Sequence, residues 1–341
     1  MKVAHMTDIK KGKMANVEYP DMKDDEVIVK VKAVGICGSD LHLYANGRSG
    51  SYIVPFPYIL GHEASGEVVE VGKDVTDLAV GDRVTMEPGK TCGKCCFCKE
   101  GKYNLCEDVI FFSAPPYNGV LCEYVSHKAD LCFKIADDIS YAEGALIEPL
   151  AVGYHAARQA NAKPGQTAVV IGLGCIGIMT IHALKVAGVD KIFAIDVAEK
   201  KLEFAKNLGA YTVNPKDVDA VKAMYSQTEG LGADIVIETA GSVPTTSITH
   251  EYAKRGGVIV LVGMIDKDIP YNFFEFICKE LTIKSVFRYR NLYKQAIDAV
   301  ENGRINLKDM ITHRFEFENT FKALDFVLEN KLDVLKAVIE M

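Results

Sequence analysis

TAVVIGLGCIGIMTIHALKVAGVDKIFAID, residues Thr167–Asp196, has the pattern of a strand, a glycine-rich turn, a helix and a second strand. Within it, residues 172–177 (GLGCIG) match G-x-G-x-x-G, which alone is a weak signal because glycine marks any tight turn. Here the motif follows a predicted strand, opens a predicted helix and is followed by Asp196 at the end of the next strand. This context completes the fingerprint of a dinucleotide-binding fold.

The glycines of this motif have separate predicted roles. Gly172 permits the turn, Gly174 lets a pyrophosphate approach the backbone, and Gly177 packs the helix against the strand. The N-terminus of the helix then offers amide donors and the positive end of its dipole to the phosphates.

Asp196 is predicted to accept hydrogen bonds from the adenosine ribose. Its charge would repel a 2′-phosphate, which favours NAD over NADP. Lys200 and Lys201 follow closely enough to weaken that preference. The alternative is an aspartate that only caps the next helix.

Further along the chain, apolar strands such as ADIVIETAG and GVIVLVG alternate with helical segments up to about residue 284. This alternation predicts an α/β fold with a doubly wound parallel sheet, a Rossmann domain, over residues 151–284. Residues 1–150 read instead as mostly β, with turn residues between short strands. We therefore predict a β-rich domain at 1–150, to which residues 285–341 return.

Composition restricts the class of protein. The 341 residues are 49% hydrophobic and 25% charged, as in globular proteins, and the net charge of −7 disfavours nucleic acid as a partner. The N-terminus lacks the apolar segment that export needs, which predicts a cytoplasmic protein. The uncharged run between Lys163 and Lys185 contains four glycines and reads as a strand and a helix, so no membrane span is predicted.

The most compact group of possible ligands lies in one loop and has the spacing C-x2-C-x2-C-x7-C, formed by Cys92, Cys95, Cys98 and Cys106. Four thiolates suit a closed, structural zinc site. An iron–sulfur cluster is the competing metal, but the ferredoxin run has a shorter last interval followed by proline. Free thiols or disulfides are the third possibility, and Cys96 is interpreted as a bystander.

A second group of possible ligands is dispersed along the chain. Cys37, His62, Glu63 and Glu148 are the residue types of a mixed sulfur, nitrogen and oxygen site with an open position. Spacing alone does not show that they converge.

The order of motifs carries a resemblance. GICGSDLH (35–42), GHEASGEV (61–68), the four-cysteine loop, IEPLAVG (147–153), GLGCIG and THRF (312–315) occur as in zinc-containing medium-chain dehydrogenases. IEPLAVG and VFRYRN (286–291) look most like the sorbitol and xylitol dehydrogenase branch. The resemblance spans nearly the whole chain and implies a GroES-like catalytic domain beside the Rossmann domain.

The resemblance also implies roles for single residues. Cys37, His62 and Glu63 would bind a catalytic zinc, with water completing the shell. Glu148 would contact that water or the substrate and can become a ligand itself, which leaves the resting ligand set open. Ser39 and His42 fit a hydroxyl-to-imidazole proton relay. Substrate-contacting positions are Tyr44, Glu148, Arg288 and Tyr289, and cofactor-contacting positions are Ile176, Lys201, Val262, Gly263 and Met264.

These features together predict an enzyme that oxidises a secondary alcohol of a polyol with NAD and zinc. Dehydrogenases of L-threonine or 2,3-butanediol share much of the pattern, and Arg288 could instead contact the cofactor or bridge subunits. A non-enzymatic zinc-binding interaction protein and a zinc-free NADPH-dependent quinone reductase are the other classes considered. The resemblance further implies a homo-oligomer, a dimer or a tetramer.

Overall fold

The computed structural model describes residues 1–50 and 52–341. The chain divides into two compact units, one formed by Met1–Glu148 with Tyr293–Met341 and the other by Pro149–Leu292. In the sequence, the second unit is therefore an insertion into the first.

Short strands dominate the first 148 residues. They are β1 Lys2–Asp8, β2 Lys11–Asn16, β3 Glu26–Gly35, β4 Arg48–Ser49, β5 Tyr52–Ile53, β6 Tyr58–Ile59, β7 Glu63–Val71, β8 Arg83–Met86, β9 Gly89–Lys90, β10 Ile110–Phe111, β11 Tyr124–Lys128 and β12 Cys132–Lys134. The helices of this part are α1 Gly38–Asn46, α2 Cys96–Lys99 and α3 Tyr141–Ala145.

Strands and helices alternate in the inserted unit, which α4 Ile147–Gln159 enters from the first unit. The elements that follow are β13 Thr167–Ile171, α5 Cys175–Val186, β14 Lys191–Ile195, α6 Glu199–Asn207, β15 Tyr211–Val213, α7 Ala220–Ser226, β16 Ala233–Glu238, α8 Val243–Ser247, α9 Thr249–Tyr252, β17 Ala253–Leu261, α10 Phe273–Lys279 and β18 Thr282–Ser285. The strands form one parallel sheet in the order β15-β14-β13-β16-β17-β18. The predicted Rossmann topology is confirmed, and its strand order reverses between β13 and β16, where ligands of such sheets bind.

The last segment completes the first unit. Its elements are α11 Tyr293–Glu301, β19 Ile311–Glu316, α12 Thr320–Glu329 and β20 Lys336–Glu340. Residues up to Glu316 pair with β20, and α12 begins only at Thr320.

The main sheet of the first unit has the order β12-β8-β7-β3-β20-β19, and β11 also pairs with β3. The central strand β3 lies between β7 and β20, which come from the two sequence segments on either side of the insertion. Buried side chains of these strands, such as Val29, Val68 and Ile339, share one hydrophobic core. This core fixes the ends of β3, β7 and β20 side by side.

The second boundary of the inserted unit lies at Leu292 rather than at the predicted residue 284. The reason is that the segment after β18 stays bonded to α4 of the same unit. Gln159 Nε2 donates to the carbonyl of Ser285 at 3.0 Å, and Arg158 Nη2 donates to that of Arg290 at 2.7 Å.

The uncharged run between Lys163 and Lys185 forms β13 and most of α5, as predicted. Within residues 1–50 and 52–341, no helix is both long enough and apolar enough to cross a bilayer.

Candidate active site and dinucleotide site

The pairing of β3 with β7 brings three predicted zinc ligands together. Gly35, the last residue of β3, is opposite Glu63, the first residue of β7. Cys37 follows β3 as the N-cap of α1, and His62 directly precedes β7. Residues 25 positions apart in the sequence thus meet because the two strand ends are neighbours.

Cys37, His62 and Glu63 each offer one ligand atom within 4.8 Å of the others. His62 and Glu63 are buried, and Cys37 is half-buried. A thiolate, an imidazole and a carboxylate grouped so closely fit zinc with room for a further ligand. In the described part of the chain, Glu148 does not belong to this group, although it is buried in the first turn of α4.

Asp40 orients His62. One oxygen of this buried carboxylate lies 3.3 Å from His62 Nδ1, which leaves Nε2 as the nitrogen for the metal. The other oxygen accepts from Ser113 Oγ at 2.6 Å and from the Gly61 amide at 3.1 Å. Burial alone would lower the pKa of His62, but the charges of Asp40 and Cys37 outweigh it and raise that pKa well above its usual value.

Lys336 holds Glu63 from the other side. Its Nζ donates to both carboxylate oxygens, at 2.8 and 2.6 Å, and to the carbonyl of Ile36 at 3.2 Å. Both side chains are almost inaccessible to solvent. Gly35 makes room for this pair, because a Cβ there would overlap the Glu63 carboxylate.

Three predicted residues lie on α1. Ser39 is half-buried and His42 is exposed, and their spacing of three residues places them on one face of the helix. Tyr44, by contrast, is 1% exposed, donates its hydroxyl to Asp325 at 3.1 Å and packs against Phe321. Tyr44 thus packs in the core of the first unit, and its implied substrate contact stays a prediction.

The four-cysteine loop forms a second group of ligands. Cys92, Cys95, Cys98 and Cys106 offer sulfur atoms that all lie within 4.8 Å of one another, and they are thiols. Backbone amides of Lys94 and Cys95 lower the pKa of Cys92 to about 7, which favours the thiolate that zinc requires. Cys96, the interpreted bystander, is exposed and does not belong to the group.

The loop is closed at its base by the pairing of β9 with β10. Tyr103 also donates to the buried Glu87 at 2.6 Å. Such an arrangement fits a closed, structural metal site without an open position.

The glycine-rich turn in the second unit has the predicted conformation. Gly172 has φ = +89°, and a Cβ at Gly177 would overlap the carbonyl of Gly172. Gly174 is the N-cap of α5, and no atom lies within 4 Å of the place where its Cβ would be. That open space at the N-terminus of α5 fits a pyrophosphate. Ile176 is half-buried in the first turn of the same helix.

Asp196 follows β14, and its carboxylate is shared between two backbone amides. Oδ2 accepts from Leu173 at 2.6 Å, and Oδ1 accepts from Ala198 at 2.9 Å. The aspartate thus ties the glycine-rich turn to the neighbouring strand. Lys201 is half-buried in the first turn of α6.

The remaining predicted cofactor and substrate residues follow β17 and β18. Val262 and Gly263 are half-buried, and Met264 is 75% exposed. Arg288 has φ = +56°, an unusual conformation for a residue with a side chain, and its guanidinium lies 4.7 Å from the Phe287 ring centre. Tyr289 is buried.

Sequence reasoning did not identify Asp40, Ser113 and Lys336 as members of the metal site. Asp40 stood inside the quoted motif, and a lysine within the apolar strand of residues 335–339 was a detectable irregularity. Ser113 carried no such signal, because nothing local indicates that it contacts Asp40.

Comparison with known proteins identifies the family of this chain. The profile of the alcohol dehydrogenase GroES-like domain matches residues 23–137, and that of the zinc-binding dehydrogenases matches residues 175–302. Sorbitol dehydrogenase of Bacillus subtilis is 40% identical over 341 residues, which cover 99% of this chain and 97% of the relative. Probable D-xylulose reductase A of Aspergillus clavatus is 43% identical over 319 residues, covering 92% and 89%.

Solved structures similar to this chain include a dehydrogenase as well. The crystal structure of 2R,3R-butanediol dehydrogenase from Bacillus subtilis has a TM-score of 0.91 and 31% identity, covering 100% of this chain and 99% of that one. Other solved relatives contain NADP or NADH.

This chain therefore belongs to the zinc-binding alcohol dehydrogenases, the zinc-containing medium-chain dehydrogenases. Within that family it falls in the sorbitol-type branch, as its motifs predicted.

Proposed function

We propose that this protein oxidises a secondary hydroxyl group of a polyol of the sorbitol, xylitol or L-iditol type to a ketose and reduces NAD. The observation that carries the proposal is the convergence of Cys37, His62 and Glu63 in a chain that also contains a dinucleotide-binding unit. The relatives named for sorbitol and D-xylulose support the substrate class.

Cys37, His62 and Glu63 would hold the catalytic zinc, and Glu148 would contact the substrate. Bound there, zinc supplies a Lewis acid that lowers the pKa of a substrate hydroxyl. Asp40 and Lys336 keep the imidazole and the carboxylate in place. Cys92, Cys95, Cys98 and Cys106 would hold a second zinc, which would stabilise their loop.

The proton of the substrate leaves through Ser39 and His42. A hydroxyl followed by an imidazole on one face of α1 can pass a proton outward, and the exposed ring of His42 delivers it to solvent.

NAD is the proposed cofactor. Its pyrophosphate takes the open space at Gly174, and Asp196 receives the adenosine ribose. A carboxylate at that place repels the 2′-phosphate of NADP. Ile176, Lys201 and the segment Val262–Met264 complete the contacts.

A polyol is favoured over a simple alcohol because Glu63, Glu148, Arg288 and Tyr289 are polar. Such groups would be costly beside a plain aliphatic chain and are satisfied by several hydroxyl groups. The structural similarity to butanediol dehydrogenase favours 2,3-butanediol as the second candidate substrate.

The proposal includes a cytoplasmic homo-oligomer. β18 is an edge strand of the sheet, and all four of its residues are exposed. Beside it in sequence, Phe273, Phe274 and Ile277 of α10 are 66%, 75% and 75% exposed. An unpaired strand edge with exposed apolar side chains is suited to pairing with a second copy.

Replacement of the metal-binding imidazole tests the function. In His62→Ala, NADH formation from xylitol or sorbitol should fall at least about a thousandfold, because the metal loses a ligand that sets its geometry. NADH binding, measured by fluorescence, should remain. His313→Ala, at a half-buried histidine outside the ligand group, is the matched control and should keep full activity. Retained turnover in His62→Ala would refute the zinc mechanism.

A further inference from the structure

Glu238 is a buried carboxyl group that neither the motifs nor the proposed chemistry explains. It is the last residue of β16 and has no exposed surface, and the strand before it is apolar. A buried carboxyl is costly unless donors surround it. Its surroundings therefore indicate what it does.

The residue joins two loops. Its Oε1 accepts from the amides of Ala240 and Gly241, at 3.0 and 2.9 Å, and from Thr245 Oγ1 at 2.7 Å. Its backbone carbonyl accepts from the amides of Val262 and Gly263, at 2.8 and 3.0 Å. Side chain and main chain of one residue thus bind the loops that follow β16 and β17.

The two loops touch through backbone atoms. A Cβ at Gly263 would overlap the backbone of Gly241 and lie 2.7 Å from Glu238 Oε2. A Cβ at Gly241, where φ is +65°, would lie 2.8 Å from the carbonyl of Met264. Because neither position can carry a side chain, the loops have one close arrangement, with the carboxyl group between them.

The segments after β16 and β17 lie next to the glycine-rich turn. Thr239 Oγ1 donates to the carbonyl of Gly172 at 2.7 Å, and Glu238 is opposite Ile171 in the sheet. In a doubly wound sheet each half receives one mononucleotide of the cofactor. The half that contains β13 and β14 carries the adenosine features, so the loops after β16 and β17 face the other mononucleotide, the nicotinamide half.

Stability alone does not account for this carboxyl group. Burial raises the pKa of Glu238, and Oε2 has no hydrogen-bond partner among the described residues. An apolar residue would avoid the cost of a half-satisfied buried group. When an energetically unfavourable buried group lies where a ligand binds, it is expected to contribute to the binding of that ligand.

We propose that Glu238 is a positioning residue that fixes the loops 239–245 and 262–264 in the arrangement that receives the nicotinamide half of the cofactor. The proposal rests on the use of a nicotinamide dinucleotide by this protein. It predicts that Glu238 governs affinity for the whole cofactor and not for its adenosine half.

The test compares two ligands by titration calorimetry, NADH and ADP. In Glu238→Ala, the Kd for NADH should rise about tenfold or more, because several donors lose their acceptor and the loops separate. The Kd for ADP should stay within about twofold, because Asp196 and the glycine-rich turn are unchanged. Glu238→Gln keeps an oxygen acceptor in place and should recover most of the NADH affinity.

Asp234→Asn is the matched control. Asp234 lies on the same strand at its other end, where its Oδ2 accepts from the amide of Thr167 at 2.8 Å, so NADH affinity should not change. If Glu238→Ala does not fold, Glu238→Asp withdraws the carboxylate by one methylene and should show the same selective loss.

An unchanged Kd for NADH, or an equal loss for NADH and ADP, would overturn the positioning role. Failure of the wild-type protein to bind NADH would overturn the cofactor assignment and this proposal with it. Failure of polyols as substrates would leave the positioning role standing, because no substrate enters the titration.

Discussion

At the scale of single residues, the contact between Lys336 and Glu63 determines how firmly the carboxylate can bind a metal. Both oxygens of Glu63 already accept hydrogen bonds from the ammonium group of Lys336. A metal cation bound to Glu63 would repel that ammonium group. Under the proposed function, zinc and Lys336 compete for one buried carboxylate.

Lys336→Met should make the protein depend more on zinc. Without metal, the variant leaves a buried carboxylate unpaired, which costs about 3–5 kcal/mol. With zinc, Glu63 regains a partner and most of that loss disappears. The increase in melting temperature on adding zinc, measured by calorimetry, should be larger in the variant than in the wild-type protein.

Lys32→Met is the control, because Lys32 pairs with Glu67 across the same two strands but at a more exposed place. Its response to zinc should equal that of the wild-type protein. An equal response in Lys336→Met would show that the lysine and the metal do not compete.

Part of the candidate metal site was predictable residue by residue. Cys37, His62 and Glu63 were named from the resemblance of their motifs, and the structure brings the three together because β3 and β7 pair. Lys336 was detectable only as a charge within an apolar strand. Its contact with Glu63 was not predictable, because it depends on the pairing of β20 with β3, between residues about 300 positions apart.

At the scale of the elements, the glycine-rich turn offers two substitutions with opposite consequences. Gly174 has φ = −66° and open space where a Cβ would be, whereas a Cβ at Gly177 would strike the carbonyl of Gly172. Under the proposed function, the first position is open for the ligand, and the second lacks a side chain because of packing.

Gly174→Ala should leave the free energy of unfolding within about 1 kcal/mol of the wild-type value, yet weaken NADH binding about tenfold or more. Gly177→Ala should lower the free energy of unfolding by about 1–3 kcal/mol. Urea unfolding and NADH fluorescence measure the two effects. Normal NADH affinity in Gly174→Ala would place the pyrophosphate elsewhere.

The alternation of apolar strands and helices was sufficient to predict the parallel sheet, since buried strands are apolar throughout. Glu238 was overlooked at this scale because a glutamate at the end of an apolar strand reads as the strand's exposed terminus. Only the loops folded over it show that it is buried.

At the scale of the whole molecule, the edge of the sheet at β18 predicts how copies associate. Ile283 on β18 and Phe274 on α10 are exposed apolar residues. The double variant Ile283→Lys, Phe274→Glu should shift the protein to smaller oligomers in sedimentation velocity, because charges on an edge oppose strand pairing.

Val218→Lys, at an exposed apolar residue of the same unit outside α10 and β18, is the control and should leave the oligomer intact. An unchanged sedimentation coefficient in the double variant would mean that copies associate through another surface.

The start of the inserted unit was visible in the sequence, because a mostly β pattern gives way there to alternating apolar strands and helices. The second boundary was not visible. Residues 286–291 lack a strong pattern and are held on the inserted unit by hydrogen bonds from Arg158 and Gln159, contacts that only the folded chain reveals.

The most direct test of the central claim is NADH formation by the zinc-replete protein with sorbitol, xylitol, L-iditol, 2,3-butanediol, L-threonine and ethanol. We predict preference for a sugar alcohol and loss of activity on chelation of zinc. Preference for 2,3-butanediol or L-threonine would contradict the polyol assignment while keeping the zinc and NAD sites. Activity that survives complete removal of zinc would contradict the mechanism itself.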